Sequence, residues 1–220
     1  MLFGNREPNY DEARNSMVRT QLESRGIRDA RVLTAMNEIP RHVFVPEGMR
    51  LHAYDDSPLS IGHGQTISQP YIVAIMTELL QLKGHERTLE IGTGCGYQTA
   101  VLMKLCAEVF TIERIEALSL RAQTHLKELN LTNVVFRVGD GTLGWPEEAP
   151  FDAILVTAGC PAVPETLCDQ LADGGRLVIP VGDRFSQTLK RIVKSNGILK
   201  SQKFTPCRFV DLIGRYGWPD

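Results

Sequence analysis

Three glycines and two acids stand at the ends of consecutive predicted strands. Gly92, Gly94 and Gly96 lie between a β-rich run and a helical segment, in LEIGTGCGYQTA. Glycine at such a turn tolerates positive φ and lets a ligand approach the backbone closely. Glu113 ends the next strand, where a carboxylate can accept hydrogen bonds from both hydroxyls of a ribose. Asp140, in VGDG after a third strand, can accept a hydrogen bond from an adenine amino group or form an Asx turn.

The glycine spacing narrows the class of ligand. The dinucleotide fingerprint GxGxxG would need glycine where Tyr97 stands, and no phosphate-binding loop GxxxxGK with a following Ser or Thr is present. The spacing GxGxG therefore favours a nucleoside-like ligand without a pyrophosphate. The alternative is a tight turn with packing glycines and solvated acids. The shared sheet edge of the loop and both acids favours the ligand.

The elements that must hold these residues alternate from Arg87 onward. Short apolar runs (TLEIG, EVFTIE, VVFRVG, DAILVTA, RLVIPVG) are separated by helical segments. This alternation predicts βαβ units, hence a doubly wound, mostly parallel α/β sheet with helices on both faces. Ser195-Asn196-Gly197 predicts the turn of an antiparallel hairpin that closes the sheet. RFVDLIG, residues 208–214, is expected to add a last strand.

The first part of the chain has a different residue pattern, with helical segments and loops. Helical periodicity covers Asp11–Glu23 and Asp29–Glu38, and Pro70 starts a further helix over residues 71–82. The polar stretch SIGHGQTISQP, residues 60–70, predicts a loop, in which Ser68 is a candidate helix cap. We therefore expect a helical, loop-bearing region over 1–83 packed on a ligand-binding core over 84–220, both in one structural unit.

With these motifs in view, the chain resembles a known class of enzymes. GxGxG, an acid ending the second strand, an acid after the third and a closing hairpin resemble the class I S-adenosylmethionine-dependent methyltransferases. VFVPEG, PLSIGHGQTISQP, EIGTGCGYQTA, GDG, FDAILVTA and GGRLVIPVG, in this order from about Arg41 to Gly182, resemble the protein-L-isoaspartate O-methyltransferases. The resemblance implies a Rossmann-like, seven-stranded sheet with an N-terminal helical extension. It also implies methyl transfer to the free carboxylate of L-isoaspartyl residues, and more weakly of D-aspartyl residues, in damaged proteins and peptides, which starts repair through a succinimide.

The resemblance also implies roles for individual residues. Those that bind the cofactor would be Gly92, Gly94 and Gly96 at its methionine and sulfonium part, Glu113 at the ribose, and Asp140 with Gly141 at the adenine. Ser68 matches the catalytic serine. Those that bind substrate would be Thr66, Ile67, Ser68, Val210 and Leu212. Asp211 stands where many relatives are expected to have proline. No metal is implied.

The implied methyl transfer needs little activation of its nucleophile. A carboxylic acid of this type has a pKa of about 4, so the nucleophile is already ionised at pH 7 and needs no general base. Ser68 is then expected to orient the carboxylate rather than to act as a nucleophile. His63 is interpreted as a loop or gate residue, and Cys95 as a small loop residue rather than a thiol nucleophile.

Composition sets the remaining expectations. The net charge of −2 gives no general attraction to nucleic acid or to an anionic membrane. Five unclustered cysteines and a charged start without an apolar run favour a reduced, cytoplasmic chain, which we expect to be a monomer. Two alternatives stay open: a methyltransferase that acts on RNA or a small molecule, and a non-catalytic protein that binds the cofactor.

Overall fold

The computed structural model describes residues 9–220 of the 220-residue chain. Residues 1–8, on which the expectation about the charged start partly depends, lie outside the described residues. Within the described part, no helix is long and apolar enough to cross a membrane.

A seven-stranded sheet forms the centre of the fold. Its strands are β3 (Arg87–Ile91), β4 (Glu108–Glu113), β5 (Val134–Val138), β6 (Phe151–Val156), β7 (Leu171–Gly182), β8 (Gln187–Ser195) and β9 (Ile198–Cys207). They lie in the order β5-β4-β3-β6-β7-β8-β9; the first five in this order are parallel, and β8 and β9 are antiparallel. The predicted parallel sheet closed by a hairpin is confirmed.

The end of the chain differs in part from the prediction. The β8–β9 hairpin turns at Asn196 and Gly197, whose φ angles of 51° and 74° suit a two-residue turn, as predicted. The strand predicted over residues 208–214 is wrong, because this segment forms only isolated bridges. Its backbone N–H groups do not form a strand ladder. The N–H of Phe209 donates to the side chain of Gln187, and the N–H of Leu212 donates to the carbonyl of Gly159.

Helices cover both faces of the sheet. They are α1 (Tyr10–Met17), α2 (Ala30–Glu38), α3 (Pro70–Leu80), α4 (Tyr97–Met103), α5 (Glu116–Glu128) and α6 (Glu165–Asp169). The first predicted helix is less regular than expected, since α1 continues as a π-helical turn over Val18–Leu22 and a 3-10 turn over Glu23–Arg25. Asp29 caps α2 by accepting a hydrogen bond from the N–H of Arg31, as predicted.

The apolar core has two parts, one on each face of the sheet. Alternate residues of β6 enter them, Leu155 on one face and Ile154 on the other. The part around Leu155 also contains Met36 and Phe44 from the N-terminal region and Tyr97 from α4. Side chains from both sides of residue 83 therefore share one core. The division into regions 1–83 and 84–220 stays a prediction.

A second, two-stranded sheet was not expected. Residues 60–70, predicted as a loop, contain all but the first residue of β1 (Leu59–Gly62), which pairs antiparallel with β2 (Gln65–Ile67). The apolar side chains of Leu59, Ile61 and Ile67 are buried, which fixes the face that this hairpin turns towards the core. Its turn has three successive residues at positive φ, Gly62, His63 and Gly64.

Candidate active site

A cleft opens at the carboxyl edge of the parallel strands. Open α/β sheets bind ligands at this edge. The predicted site residues that line it are Thr66, Gly92, Gly94, Glu113, Gly141, Val210 and Leu212. The cleft thus brings together the glycine loop, the acid that ends β4, the β1–β2 hairpin and the segment after β9.

Two of the glycines shape the cleft by having no side chain. A Cβ at Gly92, whose φ is +98°, would lie 2.3 Å from Oγ1 of Thr157. A Cβ at Gly141 would lie 2.3 Å from Cγ2 of Ile91. Real Cβ atoms do not approach other atoms this closely, so both positions require glycine. Thr157 also holds the loop, since its hydroxyl donates a hydrogen bond to the carbonyl of Gly92 at 2.7 Å.

Gly96 has a different position from the other two glycines of the loop. It precedes α4 with a φ of +91°, and a Cβ there would lie 3.1 Å from the Cβ of Ala122 on α5. It does not line the cleft. Gly96 therefore lets two helices approach each other, while Gly92 and Gly94 border the cleft.

Glu113 is a fixed hydrogen-bond acceptor at the end of β4. Its side chain is only 6% exposed. Oε2 accepts the N–H of Gly94 at 2.8 Å, and Oε1 accepts the N–H of Ile115 at 2.9 Å. Each carboxylate oxygen has a further lone pair, so the group can still accept hydrogen bonds from two adjacent hydroxyls. Sequence spacing predicted this role, and the geometry allows it.

Asp140 lies in a neighbouring groove rather than in the cleft itself. Oδ1 accepts the N–H and the hydroxyl of Thr142, and Oδ2 accepts the N–H of Arg215 at 2.8 Å. Partial burial works against ionisation of Asp140, but these hydrogen bonds outweigh it and lower the pKa. Asp140 thus pins the C-terminal segment beside the cleft, and its role towards an adenine stays a prediction.

Ser68 lies where two spaces meet. With Ile67 it lines an inner pocket that also contains Gly92 and Gly94. It also borders an outer groove with Phe209. The N-cap of α3 is Gln69, and no side chain caps this helix, so the cap function considered for Ser68 is not what the structure shows.

His63 and Cys95 take no part in the proposed methyl transfer. His63 is exposed at the tip of the β1–β2 turn and does not line the cleft or the inner pocket. Cys95 is 3% exposed, and burial raises the pKa of its thiol to about 11. A thiol with that pKa is protonated at neutral pH and is a poor nucleophile.

Sequence reasoning missed two features of the site. Thr157, which follows β6, has no motif beyond its place at the end of a strand. The second feature concerns Asp211, which lines the cleft: its Oδ2 lies 3.0 Å from Nε of Arg184, so the acid is paired. Leu212, predicted beside substrate backbone, has its own N–H bonded to Gly159 and its carbonyl to Trp218.

The arrangement fits S-adenosylmethionine. Gly92 and Gly141 leave room where a side chain would collide, and Glu113 offers a negative acceptor suited to a ribose diol next to a cationic sulfonium. Among residues 9–220, no group of three or more His, Cys, Asp or Glu side chains could hold a metal ion. The fold and the site together define a class I S-adenosylmethionine-dependent methyltransferase.

Comparison with known proteins specifies the family. A profile of the family described as protein-L-isoaspartate(D-aspartate) O-methyltransferase matches residues 12–217. A relative from Geobacter metallireducens, named protein-L-isoaspartate O-methyltransferase, is 58% identical over 211 residues, 96% of this chain and 98% of the relative. One of the same name from Trichlorobacter lovleyi is 60% identical over 211 residues, 96% and 97% of the two chains.

Solved structures agree with this result. A protein-L-isoaspartate O-methyltransferase structure has a TM-score of 0.82 at 31% identity and covers 93% of this chain and 67% of its own. The Plasmodium falciparum structure of that name, in complex with S-adenosyl-L-homocysteine, has a TM-score of 0.79 at 29% identity and covers 94% and 99%. The chain belongs to the protein-L-isoaspartate(D-aspartate) O-methyltransferase family.

Proposed function

We propose that this enzyme transfers a methyl group from S-adenosylmethionine to the free carboxylate of L-isoaspartyl residues, and more weakly of D-aspartyl residues, in damaged proteins and peptides. The ester product can then close to a succinimide, whose hydrolysis partly restores normal aspartate. One observation carries the proposal: Ser68 lines both the inner pocket at the glycine loop and the outer groove beside the segment after β9.

The cofactor side of the site consists of residues that bind and orient. When bound, S-adenosylmethionine supplies a methyl group on a positively charged sulfonium. We assign Gly92 and Gly94 to close backbone approach to its methionine end, Glu113 to the ribose hydroxyls, and Gly141 with Asp140 to the adenine end. The hydrogen bonds from Gly94 and Ile115 hold the Glu113 carboxylate in place before any ligand arrives. The side chain therefore loses little conformational freedom when the ligand binds.

The substrate side needs no proton acceptor. The carboxylate of an isoaspartyl residue is ionised at pH 7. Among the described residues that line the inner pocket beside Ser68, there is no histidine, lysine, aspartate or glutamate. The pocket does contain Cys95 and Tyr97, and burial raises the pKa of both groups, which keeps them protonated. These surroundings suit a nucleophile that is charged before it enters.

Ser68 is therefore assigned a positioning contact with the substrate carboxylate. Its hydroxyl can donate one hydrogen bond, which orients the carboxylate without neutralising it as a lysine or arginine would. The positive charge of the sulfonium and the negative charge of the carboxylate would cancel as the S–CH₃ bond breaks, the new C–O bond forms and S-adenosylhomocysteine leaves. A site that excludes water favours this loss of charge. Thr66, Ile67 and Val210 would lie along the substrate chain, and Leu212 would contribute packing because its backbone groups are already bonded.

The test separates substrate positioning from cofactor binding. Ser68→Ala is expected to lower kcat/KM for an isoaspartyl peptide by about 10- to 100-fold, the value of one hydrogen bond to a charged group. Affinity for S-adenosylhomocysteine should change by less than about threefold. Ser201→Ala, at an exposed position on β9, is the matched control. Full activity of Ser68→Ala would refute the assignment.

We also propose that the protein works as a monomer in the cytoplasm, without a nucleic-acid or membrane partner. The five cysteines all lie in the described part of the chain and are free, which suits a reducing compartment. The net charge of −2 offers little attraction to polyanions. Light scattering coupled to gel filtration should give a mass close to 24.5 kDa, and twice this mass would refute the monomer.

A further inference from the structure

The outer groove beside Ser68 has one charged residue in its lining. Among the described residues that line this groove, only Arg208 has a side chain that is ionised at pH 7. The other lining residues are apolar or carry neutral hydroxyl, amide or thiol groups. The described lining of the inner pocket has no charged residue. Arg208 therefore gives the outer groove a positive charge that the inner pocket lacks.

The backbone on both sides of Arg208 is fixed to one buried residue. Cys207 pairs with Gln187 in the β8–β9 ladder, and the N–H of Phe209 donates to Oε1 of Gln187 at 2.8 Å. Gln187 is only 2% exposed, whereas Arg208 is exposed to solvent. Because the backbone is already held, only the side chain of Arg208 must be ordered when a ligand pairs with it.

No acidic side chain in the described part of the chain pairs with Arg208. The acids around the groove have other partners. Oδ2 of Asp211 lies 3.0 Å from Nε of Arg184. Asp56, whose carbonyl accepts a hydrogen bond from a groove-lining amide, has its Oδ2 2.7 Å from Nη1 of Arg25. These two pairs are neutral overall, so they leave the charge of Arg208 unbalanced.

We propose that Arg208 selects substrates that carry an acidic residue near the isoaspartyl site, by pairing with the carboxylate of that residue in the outer groove. This inference rests on the proposed function, because it takes the outer groove as the path of the substrate chain. Ser68 and Arg208 line the same groove. The acid is therefore expected within about three residues of the isoaspartyl residue, a span of about 10 Å in an extended chain.

The position of Arg208 determines which kinetic constant should change. It does not line the inner pocket, so it binds the substrate chain and does not act on the reacting carboxylate. A contact of this kind has the same strength in the ground state and the transition state, so it lowers KM and leaves kcat unchanged. The ion pair would be exposed, which limits its effect on binding to about 1.5- to 5-fold.

The test uses six pairs of isoaspartyl peptides. The two members of a pair differ only by glutamate or glutamine at one of the three positions on either side of the isoaspartyl residue. At low salt, the wild-type enzyme should have a kcat/KM about 1.5- to 5-fold higher for the glutamate peptide at one or more of these positions, through KM. The ratio should approach one in about 0.5 M NaCl, because salt at this concentration screens an exposed pair.

Variants of the arginine connect this preference to one side chain. Arg208→Gln should abolish the preference, whereas Arg208→Lys, which keeps the charge, should retain it. Arg208→Glu should reverse it, so that a peptide with lysine at the same position becomes the better substrate. Lys203→Gln is the matched control, because Lys203 is exposed on β9 and does not line the groove. It should retain the wild-type preference.

The outcomes separate this inference from the proposed function. Equal kcat/KM for the glutamate and glutamine peptides at all six positions would overturn the acidic preference while leaving the methylation reaction intact. A preference that survives in Arg208→Gln, or that lies in kcat alone, would overturn the role of Arg208. Failure of the wild-type enzyme to methylate any of the isoaspartyl peptides would overturn the proposed function and this inference together.

Discussion

Glu113→Gln is the substitution that the cofactor site should tolerate least. The wild-type carboxylate receives N–H groups from Gly94 and Ile115 on its two oxygens. Glutamine has nearly the same shape but offers one oxygen, so its NH₂ group must face one of these two donors. One buried backbone N–H is then left without an acceptor, and the negative charge beside the proposed ribose position is lost.

The magnitude follows from the bonds that are changed. A hydrogen bond to a charged group is worth about 1.5–3 kcal/mol, so the affinity for S-adenosylhomocysteine should fall about 10- to 100-fold. The unsatisfied N–H of Gly94 or Ile115 should also lower the free energy of unfolding by about 1–3 kcal/mol. In a chain of this size, each kcal/mol lowers the thermal midpoint by roughly 2–4 °C.

Calorimetry for the ligand and thermal unfolding without it measure the two effects separately. Glu116→Gln is the matched control, because Glu116 is exposed in the first turn of α5. This substitution removes the same charge three residues away from Glu113. It should leave ligand affinity within about twofold of the wild-type value. If Glu113→Gln binds S-adenosylhomocysteine as tightly as Glu116→Gln does, the assignment of Glu113 is refuted.

Three further predictions concern Gly141, the buried acid Glu90 and the thiol of Cys95. Gly141→Ala would place a Cβ 2.3 Å from Ile91 and should lower both stability and cofactor affinity, measured by urea unfolding and calorimetry; Gly139→Ala, where a Cβ meets nothing within 4 Å, should change neither. Glu90 is neutral when folded up to about pH 8 but ionises near 4.5 when unfolded, so its contribution is full below pH 4.5 and is lost as pH rises to 8. The stability of the wild-type protein relative to Glu90→Gln should therefore fall by about 5 kcal/mol over that interval, and equal slopes in urea unfolding would contradict this. Iodoacetamide at pH 8 should leave Cys95 unmodified in peptide mass maps, and its rapid alkylation would contradict the buried, protonated thiol.

Much of the fold could be predicted because its signals are local. The alternation of apolar strands and helices defines a parallel sheet, and Asn196-Gly197 defines the closing hairpin. The β1–β2 hairpin escaped prediction because its strands have only four and three residues and its turn places a histidine, His63, at positive φ. Few non-glycine residues adopt this conformation, so residue types gave little warning of the turn.

The site likewise contains some residues that the sequence predicts and some contacts that it does not. Glycine spacing and the acid at the end of β4 carry their information in residue type, and the structure places Gly92, Gly94 and Glu113 on one cleft. The sequence offered an Asx turn at Asp140, and Oδ1 does accept the N–H of Thr142. Its contact with the C-terminal segment could not be predicted, because the partner there is the backbone N–H of Arg215. Every residue except proline has this donor, so its presence leaves no trace in the sequence. Glu90 stands out only when its burial is known.

The most direct test of the account is methyl transfer to two peptides that differ only in one linkage. One contains an L-isoaspartyl residue and its twin contains normal aspartate, and both are incubated with the enzyme and S-adenosylmethionine labelled in its methyl group. The isoaspartyl peptide should acquire the label as a base-labile ester, and the twin should acquire none above background. Equal labelling of both peptides, or labelling of neither, would contradict it.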